Sequence, residues 1–377
     1  MNVNKIKIAH VCHSVGGVDV YIRLITENLD SDKFETIVIH GKEDSLTPFF
    51  DVKLNQIIDY KINIYRDISL IKDTKAVYQL YKILKSEKPN IIHAHSAKGG
   101  ILGRLMGNLL GIKTFYTPHA FSYLSSENKI KRYIYLSIEK VFANKKSVLL
   151  PTSNSELKQG VDEVGYLVSK TRSFNNCIES ISVIKNLTII KSWPDNYICT
   201  VGRPSFQKNI ELMIKVLNEV RKDYDIHLVI MGVGHHVDQL ESVKKLINDL
   251  NLINHVTLLD WTTRTDVFNI ISNSKLYISS ARYEGMPYSI IESLALSKPC
   301  VVTDCDGNRD LIVDGYNGFV IKNENIEEFK EKILLLLSND NLLKSFSENA
   351  FKHFKENHNI KLNIKKLEEI YSNYNND

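Results

Sequence analysis

No apolar run in this sequence approaches the ~18 residues that a membrane-spanning helix needs, so helical membrane spans are excluded. Cysteine is scarce: Cys12, Cys177, Cys199, Cys300 and Cys305 are an odd number, and no two stand in a Cys-x-x-Cys spacing. That argues against a disulfide framework and fits a reducing cytoplasm. The opening residues Met1 to His10 read as a strand carrying two lysines, not as a secretory signal. No nucleic-acid-binding motif is found. The glycine pair after the first strand, Gly16-Gly17, lacks the third glycine of a dinucleotide fingerprint. A dinucleotide oxidoreductase is therefore disfavoured. Low complexity is confined to the polar tail Asn373 to Asp377.

What remains is a chain of 377 residues, 43% hydrophobic and 24% charged. That is ordinary for a globular protein and too long for one α/β domain. Charge is unevenly spread. Residues 1–190 carry 26 Lys and Arg against 18 Asp and Glu, and the remainder carries 22 against 26. The basic half suits an anionic partner such as a membrane surface or a phosphate-bearing acceptor. Short β-branched runs alternate with helical periodicity throughout, the pattern of a parallel α/β sheet. Six cations, Lys129, Lys131, Arg132, Lys140, Lys145 and Lys146, cluster in one predicted helix, Lys129 to Lys146. Its apolar positions Ile130, Ile134, Ile138, Val141 and Phe142 keep helical spacing. This face is expected to dock reversibly on anionic lipid, with Phe121 and Tyr123 adding shallow apolar contact.

The most informative stretch runs from Leu276 to Leu296. A buried strand leads into Ser280-Ala281-Arg282-Tyr283-Glu284-Gly285-Met286-Pro287, and a helix follows from about Ser289. Gly285 lets backbone approach a ligand, and Pro287 suits a helix start. Free amides and the positive end of the helix dipole then converge on one anion site. Glu284 and Glu292 flank it, and carboxylates near a bound phosphate make sense as acceptors for sugar hydroxyls. An earlier turn, Gly202-Arg203-Pro204-Ser205-Phe206-Gln207-Lys208-Asn209, offers a forked and a mobile cation before another helix. His93 and His95 read as cleft-lining or core histidines, because no acid or third histidine stands at a metal-ligand spacing.

These motifs carry a resemblance. Glu284-Gly285-Met286-Pro287 with Glu292, then Lys298-Pro299, Thr303-Asp304, Gly307-Asn308-Arg309, Asp314-Gly315 and Asn317-Gly318-Phe319, resemble the retaining glycosyltransferases of family 4. So do Val201-Gly202-Arg203 with Lys208-Asn209, and Thr117-Pro118-His119. The match Asn176-Cys177 is partial, since Cys177 stands where the family has glycine, and Val18-Asp19 replaces the usual acid, which leaves Asp19 without a role.

The resemblance implies the GT-B fold, two Rossmann-like domains facing each other across a cleft. The expected division is residues 1–190 on the acceptor side, 191–358 for the nucleotide sugar, and a C-terminal helix within 359–377 crossing back to the first domain. It implies transfer of a hexose or N-acetylhexosamine, with retention, from a nucleotide diphosphate sugar, UDP by preference. The acceptor would be a saccharide or lipid-linked saccharide, in bacterial surface polysaccharide synthesis. Arg203 and Lys208 would hold the diphosphate, Glu284 the donor sugar and Glu292 the ribose, while His119 would touch the donor sugar. Gly16, Gly17, Gly232, Leu259, Gly285, Met286, Pro287, Tyr288 and Ser289 would line the donor site. No cofactor or metal is expected, nor any nucleic-acid partner. The location would be cytoplasmic, peripheral on the inner face of the membrane. Two other readings share the architecture: a non-hydrolysing sugar-nucleotide epimerase, and a non-catalytic sugar-nucleotide-binding subunit.

Overall fold

The computed structural model describes residues 5–65, 69–126, 128–143, 145–234 and 239–374. The first four residues of the expected opening strand, Asn144 in the basic segment and the last three residues of the polar tail lie outside that set. The chain divides into two compact units, Met1–Glu179 with Ile360–Asp377, and Ser180–Asn359.

In the first unit the strands are β1 (Ile6–Val11), β2 (Phe34–Gly41), β3 (Ile58–Ile62), β4 (Ile91–His95), β5 (Lys113–Thr117) and β6 (Ser147–Leu149). They pair in parallel in the order β3-β2-β1-β4-β5-β6. Strands β1 and β4 are almost wholly buried, as expected where helices cover both faces of a parallel sheet. In the second unit the strands are β7 (Tyr197–Val201), β8 (His227–Met231), β9 (Val256–Leu259), β10 (Tyr277–Ser279), β11 (Cys300–Thr303) and β12 (Gly318–Ile321). Their order, β12-β11-β10-β7-β8-β9, is the same as in the first unit when counted from each unit's own first strand. In each sheet the strand order reverses beside the first strand, between β1 and β4 and between β7 and β10. Turns leaving the carboxyl ends there open the crevice where such sheets bind ligands.

Two sequence expectations shift. The division falls at 179/180 rather than 190, because the intervening segment is tied to the second unit. Thr188 donates from N and Oγ1 to the Asp266 carboxylate, each at 2.6 Å, and Asn269 Nδ2 donates to Lys185 O at 2.8 Å. The basic helix spans Lys129–Ala143, with Lys145 and Lys146 beyond it, and its apolar stripe is not a core face. Ile130, Ile134 and Val141 are exposed, as is Tyr133. Glu139 and Ala143 are buried instead. Arg104 Nη1 donates to Glu139 Oε2 at 2.9 Å, and the guanidinium carbon lies 3.7 Å from the Tyr116 ring centroid. That ion pair anchors the helix and turns the stripe outward. Phe121 and Tyr123 are buried and belong to the core, so they offer no surface contact.

Candidate functional site

The second unit gathers most of the predicted residues at the carboxyl ends of β7 and β10. The turn after β7 runs Gly202 to Asn209. A Cβ at Gly202 would stand 3.1 Å from both Cγ and Cδ of Lys208, so glycine there leaves room for the lysine stem. Asn209 adopts φ 49°, and Ser280 Oγ, just past β10, donates to Lys208 O at 3.0 Å and to Asn209 O at 2.9 Å. The two turns are thereby locked together. Lys208 Nζ meets Glu284 Oε1 at 2.6 Å, and Gln207 Nε2 donates to Glu284 Oε2 at 3.2 Å. Burial alone would lower the Lys208 ammonium, but the Glu284 carboxylate beside it wins and holds it above its ordinary value. Arg203 is exposed, with no ion pair among the described residues. Gly285, Met286 and Pro287 are buried, and the helix Tyr288–Ala295 begins immediately after with Pro287 as its cap. The amides of Tyr288 and Ser289 fall in the first turn of that helix. Gly307, at φ 80°, closes the turn from behind, since a Cβ there would stand 2.8 Å from Gly285 O and 2.9 Å from Glu284 Cβ.

Glu292 lies four residues into that helix and forms a separate cluster. Its Oε1 accepts from Arg264 Nη2 at 2.7 Å. Burial raises the Glu292 carboxyl above its ordinary value, and Arg264 opposes the rise. Gly232, at φ 81°, follows β8, and Val233 N donates to Leu259 O at 3.0 Å, joining the ends of β8 and β9. The buried surface is thus polar and charged on the β7–β10 side.

In the first unit Gly16, at φ 60°, caps the helix Gly17–Thr26. Asp19 accepts from Ser14 Oγ and Arg23 Nε, each at 2.8 Å, which gives that residue a structural place. His119 follows β5 in a strained turn, with φ 55° at His119 and 74° at Ala120. The buried Glu156 carboxylate holds this turn by accepting from Ala120 N at 2.8 Å and from Thr152 N at 2.6 Å. His119 Nε2 contacts His95 Nδ1 at 3.2 Å, and His95 Nε2 contacts His10 Nδ1 at 2.9 Å. His10 is thus the third histidine that spacing along one strand did not provide. Nitrogen atoms of His10, His93 and His95 lie within 4.8 Å of one another. The register of β1 on β4 places His10 opposite His93, a pairing recoverable from the strand order but not from local spacing. Sequence reasoning also missed Arg264, Gln207 and Glu156. Each acts through side-chain reach across elements, which no local motif encodes.

Residues 15–179 match the family described as Glycosyltransferase Family 4, and residues 190–353 match Glycosyl transferases group 1. The chain is 30% identical over 385 residues to UDP-Gal:alpha-D-GlcNAc-diphosphoundecaprenol alpha-1,3-galactosyltransferase of Escherichia coli, covering 98% of this chain and 97% of that protein. It is 25% identical to the O-antigen biosynthesis glycosyltransferase WbnH of Escherichia coli, over 82% of this chain and 83% of that one. Among solved structures, sucrose-phosphate synthase of Thermosynechococcus elongatus superposes with a TM-score of 0.81 at 15% identity, covering 97% and 98%. Anabaena Alr3699/HepE, in complex with UDP-glucose, gives 0.79 at 16%, covering 97% and 99%. At such identities these two likenesses concern the fold alone.

Proposed function

The chain belongs to the family 4 glycosyltransferases, and from that premise we propose that it transfers a hexose or N-acetylhexosamine, with retention, from a UDP-sugar to a lipid-linked saccharide. The observation that carries this reading is the pairing of half-buried Lys208 with buried Glu284 at the β7–β10 switch point, with exposed Arg203 on the same turn as Lys208. Departure of a sugar from a nucleotide diphosphate leaves negative charge on the β-phosphate. Arg203, Lys208 and the first-turn amides of Tyr288 and Ser289 supply positive charge and N–H donors for it. Glu284, held by Lys208 and Gln207, accepts from hydroxyls of the donor sugar. Glu292, held by Arg264, accepts from the ribose. Gly232 and Leu259 bring backbone toward the base, and Gly285, Met286 and Pro287 shape the turn. Gly16, Gly17 and His119 are the residues of the first unit that we assign to the sugar. Two cations on the turn assigned to the diphosphate make a metal-independent reaction our expectation, and EDTA should leave the rate unchanged.

The UDP donor and the lipid-diphosphate acceptor are suggested by what the 30% identical Escherichia coli relative is named for. We place the enzyme on the membrane surface through the helix Lys129–Ala143. Its exposed Ile130, Tyr133, Ile134 and Val141 stand among exposed Lys129, Lys131, Arg132 and Lys140. No helix among the described residues is long and apolar enough to cross a membrane. The decisive experiment incubates radiolabelled UDP-galactose, UDP-glucose and UDP-N-acetylglucosamine with a GlcNAc-diphospholipid acceptor. Transfer of one labelled sugar into the lipid phase, with an α linkage, is the expected result. Epimerised donor, or binding with no turnover, would replace this reading by one of its two alternatives.

A further inference from the structure

Four histidines line up inside the first unit, and their hydrogen bonds determine where each proton sits. A neutral imidazole has one N–H donor and one acceptor nitrogen. Burial keeps all four neutral: it pushes His10 and His119 down to about 3, and it sets His93 and His95 well below their ordinary value. His93 stands apart from the chain of contacts. Thr117 Oγ1 donates to Leu150 O at 2.8 Å, so it accepts from His93 Nε2 at 2.8 Å, and His93 Nδ1 then accepts from the Tyr371 hydroxyl at 2.6 Å.

The other three form a relay, His10 Nδ1 to His95 Nε2 and His95 Nδ1 to His119 Nε2, at 2.9 and 3.2 Å. Only two proton patterns satisfy both contacts, with all donors pointing outward from the core or all pointing inward. The inner end decides between them. His10 Nε2 is buried with no hydrogen-bonding partner among the described residues. A buried N–H left without an acceptor is the rarer defect, and a nitrogen lone pair in the same place is better tolerated. His10 therefore carries its proton on Nδ1 and donates to His95, and His95 donates from Nδ1 to His119. His119 Nε2 is an acceptor, and its proton sits on Nδ1.

We propose that His10 and His95 are positioning residues that fix the tautomer of His119, so that His119 presents an N–H to an oxygen of the bound sugar or phosphate. This rests on the role given to His119 above. It also separates that role from general base catalysis, since the nitrogen left outside the relay, Nδ1, carries the proton and has no lone pair to offer. The same geometry disfavours a metal at His10, His93 and His95. Both nitrogens of His93 and both of His95 already have partners, so an ion would have to break those bonds.

The test reads the tautomer directly, by NMR of the full-length protein labelled with 15N-histidine. The expected state at neutral pH is His119 protonated on Nδ1, unmoved by one equivalent of Zn²⁺. In His10→Leu the first donor is gone, so His95 is released and the His119 signal should move toward the Nε2–H form. The KM for the UDP-sugar should then rise about tenfold, the worth of one hydrogen bond, while affinity for UDP alone stays put. His10→Asn should restore both readouts, because its amide nitrogen is as many bonds from Cα as Nδ1. Protonation on Nε2 in the unmodified protein, an unaltered tautomer in His10→Leu, or zinc-shifted His10, His93 and His95 signals would each overturn the relay. If the tautomer is as expected but His119→Ala transfers sugar normally, the relay stands and the role given to His119 fails.

Discussion

At the scale of single residues, the two cations of the β7 turn are set apart by their surroundings. Lys208 is spoken for by Glu284, whereas Arg203 is exposed. If Arg203 holds the leaving diphosphate as proposed, removing it takes away that charge stabilisation and little else. Arg203→Ala should cut turnover about 10²-fold with unchanged denaturant midpoint. Lys208→Ala should cut it at least as far and also destabilise the fold, because a buried carboxylate loses its partner. Steady-state kinetics beside urea titrations separate the two, and equal stability loss in both variants would contradict this contrast. Glu292 supports a pH prediction. Burial raises its carboxyl and Arg264 pulls it back. In its proposed role as ribose acceptor only the ionised form accepts fully from the hydroxyls, so nucleotide affinity should fall as pH drops through this raised value. Arg264→Ala removes the opposing charge and should move that acid limb to higher pH, as calorimetric titration with UDP would show. The acids and cations were legible because Glu284, Glu292, Arg203 and Lys208 sit at fixed offsets in strand–turn–helix units. Arg264 was not, since nothing near it in the chain signals a partner 28 residues on.

At the scale of elements, the helix Lys129–Ala143 shows how a periodic pattern misleads. Its apolar stripe has the spacing of a core face, yet the face that turns inward is defined by Glu139. The reason lies in the buried guanidinium of Arg104, stacked on Tyr116, with Tyr116 also donating to Glu139 at 3.0 Å. Leaving that guanidinium unpaired would cost more than exposing a few aliphatic carbons. Exposed isoleucines among lysines then suit a bilayer surface. Each cation near anionic lipid is worth ~1 kcal/mol, screened over ~10 Å at 0.1 M salt. Co-sedimentation with vesicles containing phosphatidylglycerol should show salt-sensitive binding that is absent on neutral vesicles. Replacing Lys129, Lys131, Arg132 and Lys140 by Gln should abolish it, and Ile130→Ser with Ile134→Ser should weaken it at all salt concentrations. Equal partitioning onto both lipids would remove this helix as a membrane contact.

At the scale of the whole molecule, the doubled strand order was legible as alternation, because a parallel sheet demands a helix between strands and both periods are visible in the sequence. The division of the chain was less so. The sequence places the boundary in the stretch Lys185 to Asp195, and it is the ties of Thr188 to Asp266 and of Lys185 to Asn269, 78 and 84 residues on, that assign this segment to the second unit. The last helix, Ile360–Ser372, is a stronger case of long-range dependence, since it packs within the first unit although it follows the second in sequence. Ile360, Ile364, Leu367 and Tyr371 are buried there, Glu368 Oε1 accepts from Asp30 N at 2.9 Å, and Tyr371 caps His93. Burying one large apolar side chain is worth about 1.5–3 kcal/mol, and a whole domain is stable by only about 5–15 kcal/mol. Four such side chains together are therefore comparable to the full stability of the first unit. A chain ending at Asn359 should lose the first unit's cooperative melting transition and all transfer activity. The second unit keeps its own sheet and the Lys208–Glu284 turn, so UDP at ~100 Kd should still raise its stability by ~2.7 kcal/mol. Scanning calorimetry of the truncated chain with and without UDP decides the matter. Retention of both transitions would show that the helix is an appendage, and loss of the UDP response would show that the two units do not fold independently.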